Sequence, residues 1–255
     1  MTQKKEYTCK VVSKEFLTPD TAYIGIECPE AASSAVPGQF VNISCSKFLK
    51  RPFGVASVSD DGKVLYVGIK VVGKGTEELS GIEAGTEISM LAPLGNGFDL
   101  ESYDSYILVS GGTGVFPVNF TYETLKVSGK KVTVVQGFRN ASQVILNDPS
   151  FILTTDEGDA GIKGTCIAGL DTIDLNDHPN AAVLCVGPKP MMKATGEWAE
   201  SHGLKCFVSM EQRMGCGIGI CLCCTVKTKA DNEDGYYNKR CCKDGPVFDY
   251  AEVIW

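Results

Sequence analysis

Along the first hundred residues the apolar positions fall in short runs that alternate with polar ones: YTCKVVSKEF, AYIGIEC, QFVNISC, VLYVGIKVV and EISMLAP. Segments of this kind, rich in β-branched and aromatic residues and bounded by glycine and proline, predict strands, and helical periodicity is nearly absent. Several short strands joined by turns predict an antiparallel β-barrel or sandwich, because such folds close or protect their edges. Near residue 104 the texture changes. Apolar runs (SYILVSGG, KKVTVVQGF, AAVLCVG) now alternate with longer amphipathic segments (VNFTYETLKVSG, PMMKATGEWAESHG). That rhythm predicts βαβ units and a mostly parallel sheet covered on both faces, with the first helix starting near Val118. From about Glu211 onward cysteine and glycine take over, and no segment there can form a core alone. The expectation is three regions packed as one body: a barrel over 1–102, a parallel α/β domain over 103–210 and a small cysteine-rich tail over 211–255.

Composition narrows the function. The 255 residues are 44% hydrophobic and 22% charged, close to the globular average, so the chain can bury a real core. A formal net charge of -7 and the lack of a long Lys/Arg run argue against nucleic acid as a partner. The start MTQKKEYTCK has no apolar stretch behind it, and no window approaches the length of a membrane span, so a cytoplasmic location is expected. Twelve cysteines then need an explanation, and in a reducing compartment ligands or small core residues are favoured over disulfides.

Six of the twelve lie between Cys216 and Cys242. Cys216, Cys221 and Cys224 have the spacing of a plant-type two-iron, two-sulfur (2Fe-2S) ferredoxin loop. Three thiolates from one tight loop require a backbone that wraps around the cluster, and Gly217 and Gly219 permit it. The fourth thiolate must come from further on, and spacing leaves Cys241 and Cys242 both open. A structural zinc site is the alternative, although zinc ribbons present two matched cysteine pairs where this loop is glycine-rich and lopsided.

Other signals are weaker one by one. Arg51, at a strand end in RPFG, offers a fork for a pyrophosphate, and Gly75-Thr76 can open a short helix. The glycines Gly111, Gly112 and Gly114 close a buried strand, and Gly187 closes a later one, so both loops can lie at the C-terminal edge of the sheet where dinucleotides bind. An ordinary turn explains any of them in isolation.

The order of these motifs is more specific: RPF, GKGT, PLGNGF, GGTG, the GP loop and then the cysteines. It resembles the ferredoxin reductase superfamily, and Met214–Cys221 with CKDGPVF over 242–248 is similar to the electron-transfer subunit of the NAD-dependent bacterial dihydroorotate dehydrogenase B. The resemblance implies a barrel that binds FAD, a parallel sheet that binds NAD(H) and a tail that holds the 2Fe-2S cluster. It assigns flavin contacts to Arg51, Pro52, Phe53 and Gly54, to Gly68, Ile69 and Lys70, and to Gly75 and Thr76. It also nominates Cys242 as the fourth ligand. Gly54 stands where relatives commonly carry a serine or threonine. The implied partner is an FMN-containing catalytic subunit that oxidises dihydroorotate in pyrimidine biosynthesis, in a heterotetramer with two copies of each. Alternatives are a related subunit serving ferredoxin or sulfide, or a non-catalytic zinc-bearing assembly module. A relay of this kind needs tuned positions rather than a general base, so His178 and His202 are expected to be surface or structural residues.

Overall fold

The computed structural model describes residues 5–255. Six strands form the barrel: β1 (Lys5–Thr18), β2 (Thr21–Glu27), β3 (Phe40–Ile43), β4 (Arg51–Val58), β5 (Val64–Lys70) and β6 (Glu87–Leu94). They close in the order β1-β2-β5-β4-β3-β6, every pair antiparallel, so no edge is left unpaired. Alternation along β1 sends Cys9 and Val11 inward and Thr8 and Lys10 away, as the side-chain period of a strand requires. Two helices interrupt the strands, α1 (Pro29–Ser34) and α2 (Lys74–Ser80). The second begins at the predicted Gly75-Thr76.

Seven further strands form the second unit: β7 (Ser105–Gly111), β8 (Lys131–Phe138), β9 (Ile152–Thr155), β10 (Ile162–Lys163), β11 (Ala181–Val186), β12 (Lys205–Ser209) and β15 (Val247–Asp249). They make one sheet in the order β10-β9-β8-β7-β11-β12-β15. All pairs are parallel except β12–β15. Every residue of β7 and of β11 is buried, because α3 (Val115–Val127) covers one face while α4 (Cys166–Leu170) and α5 (Lys189–Ser201) cover the other. Helix α3 starts three residues before the expected Val118: a 3-10 turn over Gly112–Gly114 leads directly into it, and Pro117 is tolerated because the first helical turn needs no N–H bond.

The tail is stitched into the rest. A hairpin of β13 (Thr225–Lys229) and β14 (Tyr236–Arg240) precedes β15, which becomes an antiparallel edge strand of the nucleotide-type sheet. One apolar cluster runs from Phe40 and Leu94 of the barrel through Val109 and Val183 of the sheet to Met214, Cys224 and Phe248 of the tail. No helix among the described residues is long and apolar enough to cross a membrane.

Candidate functional site

Where the three units meet there is a cleft of about 720 Å³. Barrel residues Pro52, Phe53, Gly54, Gly68, Lys70 and Thr76 line one side. Gly111, Gly112, Gly114 and Gly187, at the C-terminal edge of the sheet, line another, and residues 209–214, from the end of β12 into the tail, close it with Cys241. Thus ten of the thirteen residues singled out for the flavin and nucleotide sites meet at one place. Arg51 and Gly75 pack on each other beside the lining residues Pro52 and Thr76 without lining the cleft themselves, and the Ile69 side chain turns into the barrel core with 1% exposure.

The glycines are there because something else occupies their side-chain space. A β-carbon on Gly75 would stand 2.5 Å from Arg51 Nε, 2.7 Å from Nη2 and 2.8 Å from Cζ, so the guanidinium lies flat over the start of α2. Arg51 Nη1 donates to the Leu49 carbonyl at 2.6 Å, which holds the fork in place. The Thr76 hydroxyl accepts from the Val72 and Gly73 amides at 2.9 and 3.1 Å and donates to the Gly73 carbonyl at 2.9 Å; it shapes the turn and has no group left over. A β-carbon on Gly68 would overlap the Phe116 ring, and one on Gly54 would press on Pro117 at 3.2 Å. The bare Gly54 therefore has a local cause: α3 packs against this strand through Pro117 and leaves little room for a serine or threonine.

At the sheet edge, a β-carbon on Gly114 would overlap the Val186 carbonyl, so the two glycine loops are in direct contact. Gly112 takes a φ of +55°, where glycine has no steric cost. Met191 lies across Gly111 and Gly187: its sulfur would be 2.6 Å from a β-carbon on Gly111 and 3.2 Å from one on Gly187. Its role as a shared lid on both loops was not visible in the sequence, since a methionine in a helix carries no site signal. Glu211 was missed for the same reason. The residue is exposed where it lines the cleft, while crowding of its carboxyl by neighbouring atoms raises its pKa.

The cysteine loop is shaped to hold anionic sulfur. Amides of Ile218, Ile220 and Cys221 donate to Cys216 Sγ at 3.5, 3.4 and 3.5 Å, and the Cys216 amide donates to Cys221 Sγ at 3.4 Å. Burial pushes the Cys216 thiol up, but these amides, led by that of Cys221, outweigh it and bring the pKa down to about 6. Gly217 and Gly219 have φ of +72° and +87°, which is how successive N–H groups turn toward one sulfur. The later cysteines are brought to this loop by Arg240, which sequence reading passed over. Its Nη1 donates to the Gly219 carbonyl at 3.0 Å, while Nε and Nη2 form a fork on Asp244 at 2.7 and 3.0 Å. The pair depresses the Asp244 pKa. Cys224, Cys241 and Cys242 are all 1% exposed. Among the described residues no three cysteine, histidine or acidic side chains converge on one metal position. The donor set nevertheless suits a sulfur-ligated cluster: thiols on a loop rich in N–H donors, with buried thiols on the adjoining arm.

His178 is buried against Thr133, with Nε2 and Oγ1 at 3.0 Å, and His202 caps its own helix on the Trp198 carbonyl at 2.8 Å. Neither approaches the cleft.

Residues 211–254 match the family described as the iron-sulfur cluster binding domain of dihydroorotate dehydrogenase B, which is an iron-sulfur and not a zinc domain. The chain is 35% identical over 262 residues to the dihydroorotate dehydrogenase B (NAD(+)) electron transfer subunit of Desulforamulus reducens, covering 98% of this chain and 99% of the relative. It is 34% identical over 260 residues to the corresponding subunit of Clostridium acetobutylicum, covering 98% of both. Among solved structures it is similar to an NADH-dependent reduced ferredoxin-NADP oxidoreductase, with TM-score 0.84, 31% identity, and 98% of this chain and 90% of that one covered. The ferredoxin reductase of carbazole 1,9a-dioxygenase, at TM-score 0.67 and 18% identity over 79% of this chain and 67% of that one, shares the fold.

Proposed function

The chain belongs to the family of dihydroorotate dehydrogenase B electron transfer subunits, and from that premise we propose that it passes electrons between a partner oxidoreductase and NAD(+) through FAD and a 2Fe-2S cluster. The observation that carries the reading is the cleft at which barrel, sheet and tail meet, with the thiol loop adjoining it. Bound there, a flavin supplies the exchange between two-electron hydride chemistry and the one-electron chemistry of a cluster.

The chain's own residues do the positioning. Residues 1–102 present Arg51, held over Gly75, to a pyrophosphate, and Pro52, Phe53, Gly54, Gly68 and Lys70 give the isoalloxazine a wall. Residues 103–210 offer Gly111, Gly112, Gly114 and Gly187 as a side-chain-free edge over which a dinucleotide can lie. Residues 211–255 supply Cys216, Cys221 and Cys224 from the loop. Cys242 is the fourth ligand in this reading, as the likeness of CKDGPVF over 242–248 to the family implies.

The partner in this reading is an FMN-containing dihydroorotate dehydrogenase catalytic subunit, two copies with two of this chain, in the cytoplasm. Ile220 and Leu222, at 74% and 61% exposure on the cluster loop, suit such a contact. Twelve free cysteines suit a reducing compartment. The similarity to the ferredoxin-NADP oxidoreductase favours a second reading, in which the acceptor is a ferredoxin-type protein.

The test is an anaerobic visible spectrum before and after NADH, then with the FMN subunit and dihydroorotate. Flavin bands with a broad cluster absorbance, bleached by NADH and by dihydroorotate only with the partner, support the proposal. Bleaching by NADH with no response to dihydroorotate moves the acceptor to the second reading. A colourless protein after reconstitution refutes both.

A further inference from the structure

Asn42 has a side chain that the proposed function leaves unused. Its neighbours on β3, Val41 and Ile43, point into the barrel core, so Asn42 points out toward the tail. It is 0% exposed. Nδ2 donates to the sulfur of Met214 at 3.8 Å, a weak acceptor, and Oδ1 has no partner among the described residues. The backbone of Gly217 closes down on the same amide: a β-carbon there would stand 2.6 Å from Asn42 Nδ2 and 3.4 Å from Leu94.

A buried amide with one poor acceptor is costly, and a leucine would fill the same space without that cost. The amide is placed one residue from Cys216, whose sulfur already collects three backbone N–H groups. Asn42 also pairs with Pro52 across β3–β4, so it lies on the side of the tail that faces the proposed flavin wall.

We propose that Asn42 donates a hydrogen bond to the iron-sulfur centre, at a sulfur of the cluster or of its Cys216 ligand, and thereby raises the reduction potential of that centre. The inference rests on the reading that the tail carries a cluster. Its direction follows from charge: reduction adds one negative charge, and a donor to sulfur stabilises the more negative state more strongly.

Two measurements test it. In reduced holoprotein containing asparagine labelled with nitrogen-15 at the side-chain amide, pulsed electron paramagnetic resonance is expected to show a nitrogen-15 coupling to the cluster spin. Its absence from the wild-type protein overturns the inference without any variant. In Asn42→Asp and Asn42→Leu, both close to asparagine in size, an electron paramagnetic resonance redox titration is expected to show the cluster harder to reduce, by at least about tenfold in the reduced-to-oxidised ratio at fixed potential, which is about 59 mV for one electron. The FAD midpoint is expected to stay in place. Unmoved cluster midpoints in these variants overturn the inference, as does an equal shift of flavin and cluster, the mark of a general packing change. Wild-type protein that holds no iron or sulfide after reconstitution removes the cluster reading itself, and this inference with it.

Discussion

Replacing Gly75 by alanine tests the flavin clamp where the structure is tightest. Ordinary contact with a β-carbon begins at 3.4 Å, and Arg51 Nε would be at 2.5 Å, so the guanidinium must retreat by 3.4 − 2.5 = 0.9 Å. Nη2 and Cζ are also too near, at 2.7 and 2.8 Å, so the whole plane has to move or swing away. A forked bond to phosphate does not survive a displacement of that size, and a hydrogen bond to a charged group contributes about 1.5–3 kcal/mol. The dissociation constant for FAD is therefore expected to rise between about tenfold and about 150-fold. Titration of apoprotein with FAD by calorimetry or flavin fluorescence measures it. In the chain without Arg51 the guanidinium is no longer there to be displaced, so Gly75→Ala in an Arg51→Ala background is expected to weaken FAD no further. Wild-type affinity in Gly75→Ala, or additive losses in the double variant, would refute the clamp.

Three further outcomes are expected. Gly68→Ala drives a methyl group into the Phe116 ring; overpacking costs about 1–3 kcal/mol, so flavin-loaded protein should melt between about 2 and about 12 °C lower, and Phe116→Leu in the same chain should restore most of it. Cys242→Ser should lose iron and sulfide during purification while Cys241→Ser keeps them, as read by metal and sulfide analysis; the opposite pattern exchanges the ligand. His178 is held below its ordinary pKa of 6.5, first by burial and then by Lys131, with Asp177 acting the other way. The unfolded chain then takes up a proton below pH 6.5 that the folded chain refuses, so stability should fall as pH drops through that value. A pH series of melting temperatures should show a shallower fall in His178→Asn; parallel curves would refute it.

Much of this architecture was legible because its period is local. Alternation in VLYVGIK and the unbroken apolar run of SYILVSG specify a half-buried and a fully buried strand with no reference to the rest of the chain. The glycine motifs were legible through their order along the chain, since an ordinary turn explains each of them alone. The contributors from distant segments were not. Met191, Glu211 and Arg240 look like ordinary helix, loop and strand residues, and they acquire roles only when the sheet edge, the cleft and the two arms of the tail come together. Val247–Asp249 is too short to announce itself as a strand, and its place beside β12 comes from the open edge that β12 presents. Helix α3 starts at Val115 rather than near Val118, with Pro117 in its first turn, where no N–H bond is lost.

At the edge of the sheet β15 acts as a guard strand. Val247–Asp249 is the last strand in chain order among the described residues, and it covers β12 just after the arm that carries Cys242. Without it the sheet would show a bare β12 edge, open to pairing with another chain. Substitutions that unseat Val247–Asp249 would therefore open β12 to self-association even though every cysteine through Cys242 is still in the chain.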